Sequence, residues 1–369
     1  MSALVLVALA AVGEGAARLT DARFPEWMAG GGQGVLMAGH PTRLWGMAPG
    51  THGNGGATAT INALGLRGAL PELPRPAGRQ RVLVLGDSSF FGHGIADDEA
   101  LAPRLEAALR AAGVDADAVN GGVPGYSTEQ TRLLLDEVGW SVEPTLLLIG
   151  NLWSDNNVDA FKDRDLLASA RAGRSPLYRS ALFRTVAVGV DRARGGEGAH
   201  VITWTRDSTW PRSQDRRVPI ADYAANLDAM ARAAHDRGVG VVFLAPVNRG
   251  LLDGEFDVGG ALWDVYFAAQ AAVAAHHGVP VVSARAGMAA GGGDSRDLFV
   301  DVMHPSAAGA ARIADEAART LLAAGWPATP LLAGGGAFDT SALHDDARTW
   351  ALPSTRQQSI QSTLFPAER

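Results

Sequence analysis

The chain has 369 residues, 47% of them hydrophobic and 19% charged, enough apolar material to bury a real core and to exclude global disorder. A net charge of −7 argues against nucleic acid as a partner, because neutralising phosphates needs a basic surface. The absence of cysteine excludes disulfide frameworks, thiolate zinc sites, iron–sulfur clusters and cysteine nucleophiles, and leaves the redox compartment open.

Residues 3–12 are an unbroken apolar run of ten residues, shorter than the roughly 17–25 that a spanning helix needs. No Lys or Arg precedes Arg18, so the basic start of a signal peptide is missing. The run reads either as a buried N-terminal helix or as the end of a membrane anchor or export signal. Glu14 and Arg18 follow at once, as at a membrane exit, and favour the second. Residues 1–19 are therefore expected to associate with a membrane. That makes the protein exported or membrane-anchored, facing the periplasm or exterior, with a cytoplasmic location as the alternative.

Residues 20–80 are rich in Gly and Pro from residue 28 onward and read as an irregular or β-rich lead-in. From residue 81 the pattern changes. Short apolar runs at 82–85, 118–120, 146–149, 239–244 and 279–282 read as buried strands. Between and after them, 98–112, 127–138, 221–237, 261–277 and 306–323 have helical spacing, several ending at Gly. Ser127 and Gln130 form a capping-box pattern at one helix start.

Alternating strands and helices predict a three-layer α/β/α fold, a doubly wound parallel sheet of about five strands in flavodoxin-like order. The domain is expected over 81–328. Residues 157–218 hold no evident core strand, are rich in Arg and carry Trp204 and Trp210, and they are expected as a lid-like insertion above the strand ends. Residues 329–369 read as an extended tail.

In such a sheet, chemistry belongs to the loops at the carboxyl ends of the strands. The first reads Gly86-Asp87-Ser88-Ser89-Phe90-Phe91-Gly92 and exposes Ser88 at a helix start. Phe90 takes the place of the last Gly of a Gly-x-Ser-x-Gly elbow. The second, Asn120-Gly121-Gly122-Val123-Pro124-Gly125-Tyr126-Ser127, brings backbone N–H groups close to a ligand. The third, Gly150-Asn151-Leu152-Trp153-Ser154-Asp155-Asn156-Asn157, is a polar loop suited to donate hydrogen bonds. The last, Asp301-Val302-Met303-His304-Pro305, has the spacing for Asp301 to fix the tautomer of His304 and leave its other nitrogen as a base. Taken singly each is ordinary: a helix N-cap, a βα turn, an Asx-rich turn and a surface turn.

Together and in this order, the four pieces resemble the SGNH hydrolase superfamily, the GDSL esterases and lipases, over residues 81–324. The segment Ile61-Asn62-Ala63-Leu64-Gly65-Leu66-Arg67-Gly68 is similar to one that precedes this domain in bacterial members with an N-terminal anchor. The resemblance implies Ser88 as nucleophile, His304 as general base and Asp301 as its orienter. It implies the N–H groups of Ser88 and Gly125 as oxyanion donors. The third donor is an Asn in a Gly-x-Asn-Asp motif, and here the chain departs: Ser154 stands in that position, with Asn151 or Asn156 as substitutes.

The activity implied is a serine esterase acting on a small acyl ester, an O-acetyl group on a carbohydrate being one candidate. An O-acyltransferase on the same triad and a non-catalytic binding module of the same fold are the alternatives. No cofactor is expected. No metal is expected either, because His-Glu-x-x-His and related spacings are absent. Among the nine histidines, His93 reads as a loop or rim residue, and His276 and His277 sit at a helix C-terminus, where a cation suits the dipole. Trp153, Trp204 and Trp210 read as packing residues ahead of a substrate role.

Overall fold

The computed structural model describes residues 3–19, 36–157, 162–172, 180–183, 185–186, 190, 216–254, 263–341 and 343. In chain order the elements are α1 (Ala3–Leu19), β1 (Met37–His40), β2 (Leu44–Met47), β3 (Gly50–Asn54), β4 (Ala57–Ile61) and β5 (Gln80–Gly86). Then follow α2 (Ser88–Phe91), α3 (Leu101–Ala111), β6 (Ala116–Gly122), α4 (Thr128–Glu137), β7 (Leu146–Ile149), α5 (Trp153–Asn156) and α6 (Asp163–Ala172). The last are α7 (Ile220–His235), β8 (Gly240–Ala245), α8 (Arg249–Leu252), α9 (Trp263–His277), β9 (Val281–Ser283), α10 (Ala284–Ala290) and α11 (Ala307–Ala323).

Contacts divide the chain into two units, residues 1–46 with 158–215, and residues 47–157 with 216–369. In the first, α1 is a helix of 17 residues, longer than the apolar run that marks it in the sequence. Glu14 caps the helical turn that begins at Ala181. Its carboxylate accepts from Ser180 Oγ at 2.7 Å and from the amides of Ala181 and Leu182 at 3.1 and 3.0 Å. The Leu182 amide, the Ser180 hydroxyl and the Ala181 amide hold the Glu14 carboxyl down at about 2. No helix among the described residues is long and apolar enough to cross a membrane. Trp204 and Trp210 lie outside the described residues.

The second unit carries the sheet. Its strands are parallel in the order β6-β5-β7-β8-β9, the flavodoxin-like order, with Val82 opposite Leu146 and Ile149 opposite Phe243. Every residue from Val82 to Leu85 and from Leu146 to Ile149 is buried, as continuous apolar strands require. Helices α3, α10 and α11 pack together on one face, and α4, α7 and α9 on the other. The order reverses between β5 and β7, so the crevice at the carboxyl ends of β6, β5 and β7 is where this fold holds ligands.

Three local expectations are revised. The helix expected over 98–112 is a 3-10 turn at Asp97–Glu99, an extended Ala100 with ψ 160°, and then α3. This start leaves Pro103 in the first helical turn, where a missing N–H costs nothing. The Ser127–Gln130 box is half formed: Gln130 Oε1 accepts from the Ser127 amide at 3.3 Å, while Ser127 Oγ has no partner among the described residues. Arg81, at the edge of the expected strand, is fully buried, paired with Asp117 and donating to the carbonyls of Val142 and Glu72.

Candidate active site

Ser88 begins α2 directly after β5. Asp87 is the N-cap of this short helix and accepts from the Ser89 amide at 3.0 Å. The seat of α2 is cut by glycines. A Cβ at Gly86 or Gly150 would overlap the Phe90 ring, and one at Gly122 would strike the backbone of Phe91. Phe90, which breaks the hydrolase elbow pattern in the sequence, is thus the wedge that locks α2 onto the ends of β5 and β7.

From the other side, Arg67 donates to the carbonyls of Phe91 at 2.6 Å, Gly92 at 2.7 Å and Ile95 at 2.7 Å, and pairs with Asp97 at 2.8 Å. Asn54 donates to Gly92 O and Ile95 O and accepts from the Gly94 amide. Neither residue carries a motif that marks it in the sequence as support for the nucleophile; the lead-in resemblance that includes Arg67 is the nearest signal.

His304, the base the sequence points to, stands in the loop before α11. The Val300 amide donates to His304 O at 2.9 Å and the Ser306 amide to Leu298 O at 2.9 Å, which closes this loop on itself. Asp301 Oδ1 accepts from the amides of Met303 and His304 at 2.7 and 2.8 Å, and Oδ2 faces His304 Nδ1 at 2.7 Å. Burial pushes the Asp301 carboxyl up, but these three donors outweigh it and leave it below its ordinary value. A carboxylate only accepts, so Nδ1 carries the ring proton and Nε2 presents a lone pair. That lone pair meets Ser88 Oγ at 2.8 Å, and the hydroxyl donates to it. Two loops separated by 216 positions in sequence thus meet in one continuous relay, Ser88–His304–Asp301.

The second loop is placed by an almost complete use of its N–H groups. The amides of Gly122, Val123, Tyr126, Ser127 and Thr128 donate to Asn120 Oδ1, Gly86 O, Val123 O, Gln130 Oε1 and Asp155 Oδ1. The Gly125 amide, at φ +77°, donates to nothing among the described residues, and neither does the amide of Ser88. Unpaired N–H groups beside a nucleophile are what an oxyanion requires.

The third loop differs from its expectation. The Ser154 amide is one of the groups that hold down the proton affinity of the buried Asp87 carboxyl. Asn151, fully buried, donates through Nδ2 to Tyr126 O at 3.1 Å, and its backbone carbonyl accepts from Tyr223 at 2.9 Å. Asn156 lies in α5 and is buried. Asp155 accepts from the amide and hydroxyl of Thr128, which ties this loop to the start of α4. The loop therefore acts first as a brace between the nucleophile turn and the Gly125 turn. Burial raises the Asp87 carboxyl, against the Ser89 and Ser154 amides and the charges of His304 and Arg217.

His93, read as a loop or rim residue, has its ring 4.5 Å from that of His304, centroid to centroid, at 47°. Burial, then the neighbouring His304, lowers its affinity for a proton, with Asp301 opposing. Trp153 packs against Trp263 at 4.8 Å, in keeping with a packing role.

The doubly wound sheet thus brings a serine and a histidine from two distant loops into hydrogen-bond contact. Residues 190–312, a third of the chain, match the model of the GDSL-like lipase/acylhydrolase family, a span that contains Asp301 and His304 but not Ser88. That stretch is similar to the GDSL-like lipases and acylhydrolases. No curated protein matches it. Similar solved structures include an acetylxylan esterase from Geobacillus stearothermophilus, at 14% identity over 66% of this chain and 94% of that one, TM-score 0.43. A lipase/acylhydrolase from Enterococcus faecalis aligns at 15% identity over 66% and 96%, TM-score 0.43. An enzyme from the metagenome of Lake Arreo, Spain, aligns at 18% over 67% and 95%, TM-score 0.44. At this level the likeness carries no statement about activity.

Proposed function

We propose that the protein is a serine esterase that hydrolyses a small acyl ester, such as an O-acetyl group on a carbohydrate, through Ser88, His304 and Asp301. The observation that carries this reading is the 2.8 Å contact between Ser88 Oγ and His304 Nε2, with Asp301 behind the ring. His304 takes the hydroxyl proton as Ser88 attacks the ester carbonyl. The imidazolium formed is held by Asp301, and it returns the proton to the leaving alcohol. Water activated by the same nitrogen then releases the acyl group as free acid.

The unpaired amides of Ser88 and Gly125 supply donors for the tetrahedral oxyanion, and each such donor is worth about 10²–10³ in rate. The second hydrogen of Asn151 Nδ2 is our choice for the third, because its first already reaches Tyr126 O beside Gly125. The closeness of Ser88 and His304 speaks against a binding module that merely kept the fold. We assign the hydrolase domain to residues 81–328, with 20–80 as lead-in, 157–218 as insertion and 329–369 as tail.

The test is turnover of p-nitrophenyl acetate and a panel of acetylated sugars, wild type beside Ser88→Ala. The reading expects acid release by the wild type and its loss in the variant. Equal turnover in both would overturn it. Acyl transfer to an added sugar, with little free acid, would identify a transferase instead.

A further inference from the structure

Among the described histidines, His235, His276 and His277 hold backbone carbonyls. His235 Nδ1 faces Ala333 O at 2.6 Å, and His276 Nε2 faces Gly336 O at 3.0 Å. His277 meets Gly334 O at 2.7 Å and Asp228 at 2.9 Å. These three rings fasten the segment after α11 to the body of its unit, which is a structural role. His93 has none of this. Its backbone amide donates to Ser88 O, but its ring makes no hydrogen bond among the described residues and has the His304 ring beside it.

His93, Asp301 and His304 each offer a ligand atom, and these atoms lie within 4.8 Å of one another. Two imidazoles and one carboxylate suit zinc or copper rather than magnesium or calcium, which prefer all-oxygen shells. Tetrahedral bonds of about 2 Å need ligand atoms roughly 3.4 Å apart, a contraction within reach of side-chain rotation. Asp301 has a side chain 46% exposed, so the way in is open.

Resting on the esterase reading, we propose that His93, Asp301 and His304 form an inhibitory site for a divalent transition metal of the zinc and copper class. Both ring nitrogens of His304 are in use, one on Ser88 and one on Asp301. A metal that takes either nitrogen breaks the relay: at Nε2 it removes the acceptor for the serine proton, and at Nδ1 it removes the orienting carboxylate. Water fills the fourth position, no covalent bond to carbon changes, and removal of the metal restores the base. His93 makes the site possible without a part in the proton relay.

The experiment has two arms on the full chain. Equilibrium dialysis with zinc chloride is run on the wild type, Ser88→Ala, His93→Asn and His93→Cys, and turnover of p-nitrophenyl acetate is followed against zinc and then with EDTA. His93→Gln replaces His93→Asn if the latter lacks a native circular-dichroism spectrum. The proposal expects one zinc bound by the wild type, by Ser88→Ala and by His93→Cys, whose thiolate is itself a ligand. It expects at least tenfold weaker binding by His93→Asn. Wild-type turnover falls in step with occupancy and returns with EDTA, and His93→Asn keeps its own metal-free rate at the same zinc concentration. Equal zinc affinity in wild type and His93→Asn, no stoichiometric binding, or full turnover by the zinc-bound wild type would overturn it. A wild type without any turnover would defeat the esterase reading alone, and dialysis would still decide the site.

Discussion

The supports of Ser88 and of His304, the proposed nucleophile and base, are built in different ways. Ser88 stands on α2, whose Phe90 and Phe91 are buried between glycines of neighbouring strand ends and whose C-terminal carbonyls are gripped by Arg67 and Asn54. His304 stands on a loop with Val300, Asp301 and Val302 exposed, and Asp301 shapes it through hydrogen bonds to its own neighbours. The nucleophile is positioned by core packing, and the base by a local hydrogen-bond loop. Damage to the first support should therefore cost stability and activity together, and damage to the second should cost activity alone.

The largest effects belong to the relay atoms. Ser88→Ala and His304→Ala should each lower kcat by at least about 10³-fold, with a melting temperature close to that of the wild type. Steady-state kinetics beside thermal melts check this. Asp301→Asn should lower kcat by up to about 10⁴-fold because it can present the wrong tautomer partner, and should lose in stability only the contribution of its charge, since its Oδ1 still accepts both amides. A large fall in melting temperature would erase the contrast. On the other side, Gly150→Ala should cost about 1–3 kcal/mol in urea unfolding and lower activity too, because the added methyl displaces Phe90.

The two acids that flank the relay should respond to pH with opposite signs. Asp301 lies below its ordinary value of 3.8, so it stabilises the fold above that value, and the contribution is lost as pH falls through the lowered one. Asp87 lies above its ordinary value, so the native state binds its proton more readily than the unfolded chain, and stability falls as pH rises from 3.8 through the raised value. Urea midpoints from pH 3 to 7 for Asp87→Asn and Asp301→Asn, each against wild type, should show differences that slope in opposite directions. The smallest effect is expected at exposed Val302, where Ser should change stability by less than about 0.5 kcal/mol.

Much of this was legible in the sequence. The five strands appear as short apolar runs because a parallel sheet buries both faces, and the loops at their carboxyl ends carry Ser88 and Gly125, while Asp301 and His304 stand in the loop before α11. Less legible were features set by contacts across the chain. Nothing local says that Asn151 reaches Tyr126 O, or that Arg67 closes on carbonyls at positions 91–95. His93 lacks a carboxylate near it in sequence and so reads as a rim residue. Its neighbour is His304, brought there only when the two loops meet. The break at Ala100 was legible in part: Pro103 tolerates only the first turn of a helix, a sign that competes with the apolar spacing on either side.

The most direct test of the relay is covalent. The protein is treated with a fluorophosphonate, digested, and the adduct located by mass spectrometry in the wild type, Ser88→Ala and His304→Ala. The account predicts one adduct on Ser88, absent from Ser88→Ala and formed far more slowly in His304→Ala. An adduct on Ser89 or elsewhere, or labelling of Ser88 that proceeds equally fast without His304, would contradict it.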